Sequence, residues 1–365
     1  MLSTDPRLVF NQPPHLADYN LLQADPVLAQ LMDQKDLEFA RAELTQLGDQ
    51  LGTAEFQKLG EQANRFRPEL RTHDRFGHRI DEVEFHPAWH TLMATGVKAK
   101  VHSWPWLADA SQSLSVRHQA RVAAHYMLSQ IEAGVGCPLT MTFAAVPTLR
   151  LGNPQLAKIW EPKITSTTYD FGLRHHSQKK GCIVGMAMTE KQGGSDVRAN
   201  TTLAHACPSY GEDYYRLEGH KFFCSAPMSD GFLTLAQLPE GLTCFFVARV
   251  LDDESRNSIR IQRLKDKLGN HSNASSEIEY HDTLAIRVGP PGRGVATIIE
   301  MVNHTRLDCI IGSVAVDYTQ FFVVGALLRK NLLAGILQPG ARALPASPGE
   351  ALSRFRDDVD GVLGF

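Results

Sequence analysis

Gly185–Thr202 reads GMAMTEKQGGSDVRANTT: a small, strand-like start that runs into Thr-Glu-Lys-Gln, two glycines, a serine and an aspartate. The mixture is too polar for a core strand and too specific for an ordinary loop. No Gly-Lys-Ser/Thr follows the glycines, which excludes a Walker loop, and the dinucleotide fingerprint G-x-G-x-x-G is absent both here and in GVGCPL at 134–139. What remains is a strand end whose backbone is free at Gly193 and Gly194, flanked by the hydroxyls of Thr189 and Ser195. Free amides and hydroxyls in a curved loop suit the edge of a flat heterocycle or a diphosphate. A hairpin with a glycine bulge uses the same residues.

Outward from this stretch, the chain changes texture at Gly181. GCIVGMAM, DYYRLEGHKFFCSA, GFLTLAQL, LTCFFVARV, SIRIQRL and SSEIEYHDTLAI are short runs rich in β-branched and aromatic residues, separated by Gly, Pro, Asn and Asp. No helical pattern separates them, so antiparallel pairing is expected rather than a parallel α/β sheet. GHKFFCSAP (Gly219–Pro227) belongs to this sheet, where Phe222, Phe223 and Ser225 offer an aromatic wall and a hydroxyl; adjacent aromatics also serve as core.

Before Gly181 the chain reads mainly as helix. In SVRHQARVAAHYMLSQIEAG, Val116, Ala120, Ala123, Ala124, Met127 and Ile131 recur at spacings of three and four, with Gly134 as a stop. DPVLAQLMDQKDLEFARAELTQLGDQLG keeps the same period, with Pro26 just inside a start and Gly52 at a break. After VGPPGRG (288–294) helical spacing returns, with Ile298, Met301 and Val302 on one side. From Gln338 onward the chain is dense in Pro, Gly and Ala, and poor order is expected there. The divisions are 1–180, helical; 181–288, sheet; and 289–365, helical with an atypical tail.

The 365 residues carry 37 basic and 40 acidic side chains, a formal net charge of -3, which gives no reason to expect nucleic acid as the main partner. Six scattered cysteines (Cys137, Cys182, Cys207, Cys224, Cys244 and Cys309) form no C-x-x-C pair, so neither a disulfide framework nor a cysteine zinc site is expected. The N-terminus has no signal-like apolar region, and the longest apolar run, FFVVGALL at 321–328, is stopped by Arg329 and Lys330. These features read as a soluble, cytoplasmic protein with no membrane partner. His86 and His90 in EFHPAWH have i, i+4 spacing, but Pro87 intervenes and no third ligand follows, so capping or packing is expected and no metal site is assigned. RHHSQKKG (Arg174–Gly181) reads as a solvated loop whose charge suits a phosphate.

CPLTMTFAA, GMAMTEKQGGSDV, GHKFFCSAP, LKDKLGNHSNASSEIEY and NHTRLDCIIGS, in this order, resemble the acyl-CoA dehydrogenase flavoprotein family. FNQPP, QLGTAEFQKLG and EFHPAWHTLM are similar to its AidB-like branch, linked to the alkylation-damage response; the resemblance covers roughly residues 8–316. It implies an α+β multidomain fold: an N-terminal helical domain, a middle antiparallel β-barrel-like domain and an incomplete C-terminal helical domain.

The resemblance further implies FAD as cofactor, lined by Met186, Ala187, Met188, Thr189, Glu190, Lys191, Gln192, Gly193, Gly194 and Ser195. Thr189 would lie near the isoalloxazine edge and Ser195 near the diphosphate, with Phe223, Cys224 and Ser225 covering the ring. Arg306 matches a position beside an acyl-thioester pocket; pairing with an acid such as Asp308 is its other reading. The family's reaction is α,β-dehydrogenation of an acyl-CoA, and members are commonly tetramers. After Val316 neither the Arg-x-x-Phe-Gly element nor the segment carrying the family's catalytic glutamate is found. A truncated C-terminal domain and impaired catalysis are therefore expected, with no catalytic residue assigned. DNA binding by the branch, as a protection protein, is associated mainly with that same domain and is one alternative; a non-catalytic remnant that binds nothing tightly is the other.

Overall fold

Short polar side chains start the helices. The computed structural model describes residue 7 and residues 15–107 and 111–333, with side chains through residue 319. Asn20 caps α1 (Leu21–Ala24), its side-chain oxygen accepting from the Leu22 and Gln23 amides. Asp25 caps α2 (Pro26–Met32) in the same way, with Pro26 in the first turn, where its missing N–H costs nothing. A single 3-10 turn, Lys35–Leu37, separates α2 from α3 (Glu38–Leu51). Gly52 ends α3, and Thr53 caps α4 (Ala54–Arg65).

A departure from the helical reading follows. β1 (Glu69–His73) and β2 (Arg79–Glu84) form an antiparallel hairpin with Leu70 opposite Val83. Its turn is held by Asp74, whose carboxylate accepts from the Phe76 and His78 amides, and by Gly77 at φ +88°. The strands are too short and too polar to announce themselves. Tertiary contacts fix them: the Asp81 carboxylate accepts from the Ile261 amide at 3.1 Å, and Arg79 donates to the Ile261 carbonyl at 3.1 Å.

His86 caps α5 (Pro87–Lys98), accepting from the Ala88 amide, and stacks on Phe66 at 4.7 Å. His90 pairs with the Tyr169 hydroxyl at 2.8 Å. The expected capping and packing roles are thus observed. Along α6 (Leu114–Ile131) the apolar stripe lies where its spacing puts it: Ala120, Ala123, Ala124 and Met127 are fully buried, and Val116 and Ile131 pack partly buried at either end. α7 (Gly136–Gly152) and α8 (Pro154–Ile164) then cover one face of the sheet.

That sheet has seven strands: β3 (Val184–Ala187), β4 (Leu203–Ala206), β5 (Tyr214–Ser225), β6 (Gly231–Leu238), β7 (Gly241–Ala248), β8 (Ile259–Leu264) and β9 (Ser275–Val288). β6 and β7 are buried on both faces. Leu233, Leu235 and Phe246 point into the core shared with α7 and α8, whereas Phe232, Phe245 and Val247 point into a second core behind the sheet. Their near-continuous apolar runs follow from that double burial.

Most neighbouring strands are antiparallel, as expected, but β3 and β4 both run parallel to β6. The reason is insertion. β5 and β6 are consecutive and opposite in direction, yet β3 and β4 lie end to end between them: Ala187 pairs with Cys224 at one end of β5, and Leu203–Ala206 pair with Glu218–Tyr215 toward the other. A strand placed between two antiparallel strands must run parallel to one of them.

The last described helix, α9 (Gly294–Leu333), follows. Ile298 and Met301 enter the α7–α8 core. Asp308 is buried against Arg121, whose Nη1 donates to it at 2.8 Å, and Thr140, which donates at 2.5 Å. Burial alone raises the Asp308 carboxyl, but hydrogen bonds and charge from Arg121 and His125 hold it well below the usual carboxylate range. Residues Ala17–Val316 form one compact unit; a second joins Met1–Leu16 to Asp317–Phe365, most of which, including the tail from Gln338, lies outside the described residues. Among the described residues no helix is long and apolar enough to cross a membrane. All six cysteines are free thiols.

Candidate functional site

The opening stretch leaves the sheet and comes back to it. Ala187 stands opposite Thr234 and Leu203 opposite Gln237, so β6 advances three residues while the chain makes the whole excursion 188–202. Three strand residues span about 10 Å. Residues 188–202 are therefore a loop pushed out of one interrupted strand position.

The neck of this loop is pinched by Glu190. Its carboxylate accepts from the Thr201 amide at 2.6 Å and hydroxyl at 3.0 Å, from the Thr202 amide at 3.1 Å and hydroxyl at 2.6 Å, and from Lys221 Nζ at 2.7 Å. Glu190 and Lys221 have no side-chain exposure, and Lys221 also donates to the Leu235 carbonyl at 2.7 Å. Burial pushes Glu190 up, but Lys221 and the two threonines outweigh it and bring the carboxyl to about 2. Burial lowers Lys221 to about 8 in spite of its partner. A second strap is Asn200, which donates to the Met188 carbonyl at 2.8 Å and accepts from Gln192 at 2.9 Å.

The rim is open. Lys191, Gln192, Gly194 and Ser195 are exposed, and Gly193 has φ +113°, where a side chain would be strained although a Cβ would meet nothing within 4 Å. At Gly194 a Cβ would stand 3.0 Å from the Thr189 hydroxyl, so the missing side chain lets the loop close over that oxygen. The Thr189 carbonyl accepts from both the Phe222 and Phe223 amides, at 2.8 and 3.3 Å, which docks the loop onto β5.

Strand alternation sorts the remaining positions. Ala187 and Cys224 pair and are both buried in the core behind the sheet, so any contact they make with a ligand is through backbone. Their neighbours Met186, Met188, Phe223 and Ser225 are only partly covered, and the two methionines, like Cys137 of α7, pack against the core shared with α7 and α8. Phe223 is 41% exposed. The Ser225 hydroxyl contacts that of Ser275 at 3.2 Å, and Lys267 Nζ lies 3.3 Å from the same Ser275 oxygen. The Lys265 ammonium lies over both phenylalanines, 3.0 Å from the ring centre of Phe222 and 5.9 Å from that of Phe223.

Arg306 is exposed on α9, and Asp308 is committed to Arg121; the reading of Arg306 as the partner of Asp308 is therefore corrected. In α9 the two side chains stand two residues apart and face different directions. Sequence reasoning also passed over Lys221, Thr201 and Thr202. The available signal was a lysine amid the apolar strand GHKFFCSAP, which demands a buried anion. Partly buried aromatic and thioether groups, flanked by hydroxyls and a pinned glycine loop, can hold a flat, polar-edged ring.

Two family descriptions match this arrangement: the adaptive response protein AidB N-terminal domain over residues 11–171, and the acyl-CoA dehydrogenase middle domain over 185–283. AidB of Escherichia coli (strain K12) is 46% identical over 84% of this chain and 55% of its own length. Acyl-CoA dehydrogenase family member 11 of Caenorhabditis elegans is 32% identical over 81% of this chain and 48% of its own. Among solved structures, Caenorhabditis elegans ACDH-11 in complex with C11-CoA superposes with a TM-score of 0.79 at 27% identity, covering 98% of this chain and 60% of that one. The chain thus spans about half the length of the curated relatives it matches. With an AidB-type N-terminal domain leading into an acyl-CoA dehydrogenase middle domain on the fold of these enzymes, the chain belongs to the AidB-like branch of the acyl-CoA dehydrogenase family.

Proposed function

We propose that this chain is an FAD-binding scaffold of the acyl-CoA dehydrogenase type, with an acyl thioester as the substrate class. The observation that carries this reading is the pinched excursion 188–202, standing beside the partly open face of Met186, Met188, Phe223 and Ser225. The residues fit the group. Phe223 packs on a planar ring, Thr189 and Ser225 offer hydroxyls to its polar edge, and Gly193, Gly194 and Ser195 receive the diphosphate. Bound FAD supplies the hydride acceptor for α,β-dehydrogenation of the thioester. Arg306, exposed on α9, is assigned to the thioester substrate.

The protein's own part is to hold the ring side fixed. A loop whose neck is tied by a buried ion pair and four threonine hydrogen bonds loses little entropy on binding. Glu190, the carboxylate at the loop neck, is buried and fully engaged by Thr201, Thr202 and Lys221. Tied in this way, it positions the loop rather than removing a proton. Under this reading the divisions fall at 180/181 and 288/289.

Fluorescence titration of the purified chain with FAD tests the proposal. Replacing Thr189 and Ser195 together by Ala removes two hydrogen bonds and is expected to weaken FAD binding by about ten- to thirty-fold. A chain that takes up no FAD sinks the flavin reading; uptake that is unchanged in the double variant refutes the roles of Thr189 and Ser195. The alternative, a DNA-associated protection protein, is supported by the AidB-type N-terminal match and opposed by the net charge of -3. It is abandoned if duplex binding at moderate salt is no tighter than that of an unrelated protein of like charge.

A further inference from the structure

The segment RHHSQKKG was read above as a solvated loop, and no metal was assigned to the chain. The fold brings to that loop a residue far away in sequence. His175 Nε2 lies 3.1 Å from the Asp252 carboxylate across 77 positions, and the ligand atoms of His175, His176 and Asp252 all fall within 4.8 Å of one another. Among the described residues this is the group of imidazoles and carboxylates that converges in this way. We propose that His175, His176 and Asp252 bind a divalent transition-metal ion of the zinc class and thereby tie the turn at 251–255 to the segment leading into β3.

Three features support the assignment. First, two ligands of one tetrahedral zinc, each at about 2.0–2.2 Å from it, stand about 3.3 Å apart; the His175–Asp252 separation is already close to that, and the His176 ligand atom lies within 4.8 Å of both. Second, the rings are held rather than swinging. His175 is 12% exposed, and its Nδ1 contacts Ser177 Oγ at 2.8 Å, which leaves Nε2 directed at Asp252. His176 lies 5.0 Å from Trp160, itself packed on Phe246. A ligating imidazole whose other nitrogen is engaged is the usual arrangement at protein metal sites.

Third, the carboxylate is presented by a structured turn. Leu251 and Ser255 close it with a 2.9 Å backbone bond, Asp253 is used internally by the Ser255 amide at 2.9 Å, and Glu254 is held by Gln178. Asp252 is left 92% exposed and free to ligate. Two imidazoles with one carboxylate and an open position suit zinc, cobalt or nickel rather than calcium or magnesium.

Calorimetric titration of the chelator-treated chain with Zn²⁺ tests the site, independently of any flavin. One equivalent is expected to bind at micromolar level and to raise Tm. Asp252→Asn, at a 92% exposed position where folding is not at risk, is expected to weaken binding at least about ten-fold, and His175→Gln with His176→Gln to abolish it. His78→Gln, in the exposed His78–Asp74 pair of the β1–β2 hairpin, serves as the control and should change nothing. Absence of saturable binding, binding that survives the double histidine variant, or an equal loss in the His78 control overturns the proposal.

Discussion

Removing the charge of Glu190 tests the logic of the site most directly. Glu190→Gln keeps the shape of the side chain but turns one acceptor into a donor facing the Thr201, Thr202 and Lys221 donors, and leaves the Lys221 ammonium buried without its anion. Two routes bound the cost. If Lys221 stays charged, breaking a fully buried pair costs about 3–5 kcal/mol. If it deprotonates, a lysine of ordinary pKa near 10.4 must lose its proton at pH 7, roughly 3.4 units at 1.36 kcal/mol each, or about 4–5 kcal/mol. The routes agree on about 4 kcal/mol.

The pH dependence carries a sign. The Glu190 carboxyl sits lower in the folded chain, at about 2, than when unfolded, so its contribution is complete above the unfolded pKa of about 4.5 and is lost as pH falls toward 2. The variant lacks that part of the acid limb. Chemical denaturation at pH 7 and pH 3, with hydrogen exchange at the Thr201 and Thr202 amides as the local readout, measures both effects. Glu190→Gln with Lys221→Met should recover much of the loss, since an apolar replacement of both partners leaves no orphaned charge. A single variant destabilised by less than about 1 kcal/mol, with unchanged protection at Thr201 and Thr202, would refute the pinched-neck account.

Two further substitutions probe other levels of the structure. Gly219 has φ +148° on β5, and a Cβ there would meet Thr202 atoms at 2.6–2.8 Å, among them backbone; Gly219→Ala is expected to cost about 1–3 kcal/mol in thermal or chemical denaturation, and a neutral result contradicts the close approach. His102 is buried, and burial, followed by the Arg121 charge, lowers its pKa to about 4 although the Ser166 carbonyl pulls the other way. The unfolded chain takes up that proton first, so about 3 kcal/mol of stability is present above pH 6.5 and lost as pH falls toward 4. His102→Gln should flatten the stability profile across this window, and an unaltered slope speaks against a neutral buried imidazole.

What was legible in the chain shares one physical character: it is local. The stripe of Ala120, Ala123, Ala124 and Met127 and Pro26 in a first turn both follow from how one element repeats along itself. The β1–β2 hairpin was missed because its residues have no period strong enough to outvote their helical surroundings. Asp81, Ile261 and Arg79 settle it from a distance. The parallel setting of β3 and β4 was missed because which strand slots between which is decided by the sheet and not by any strand.

The sequence by itself determined where helix gives way to sheet, that a polar glycine loop follows the sheet's first strand, and the family to which that loop belongs. Only the tertiary structure decided that the loop's glutamate faces inward to Lys221, that Asp308 belongs to Arg121 and leaves Arg306 exposed, and that Asp252 meets His175. Periodicity reports which side of an element avoids water. A buried charge must instead find a particular counter-charge, and that partner is chosen by the path of the whole chain.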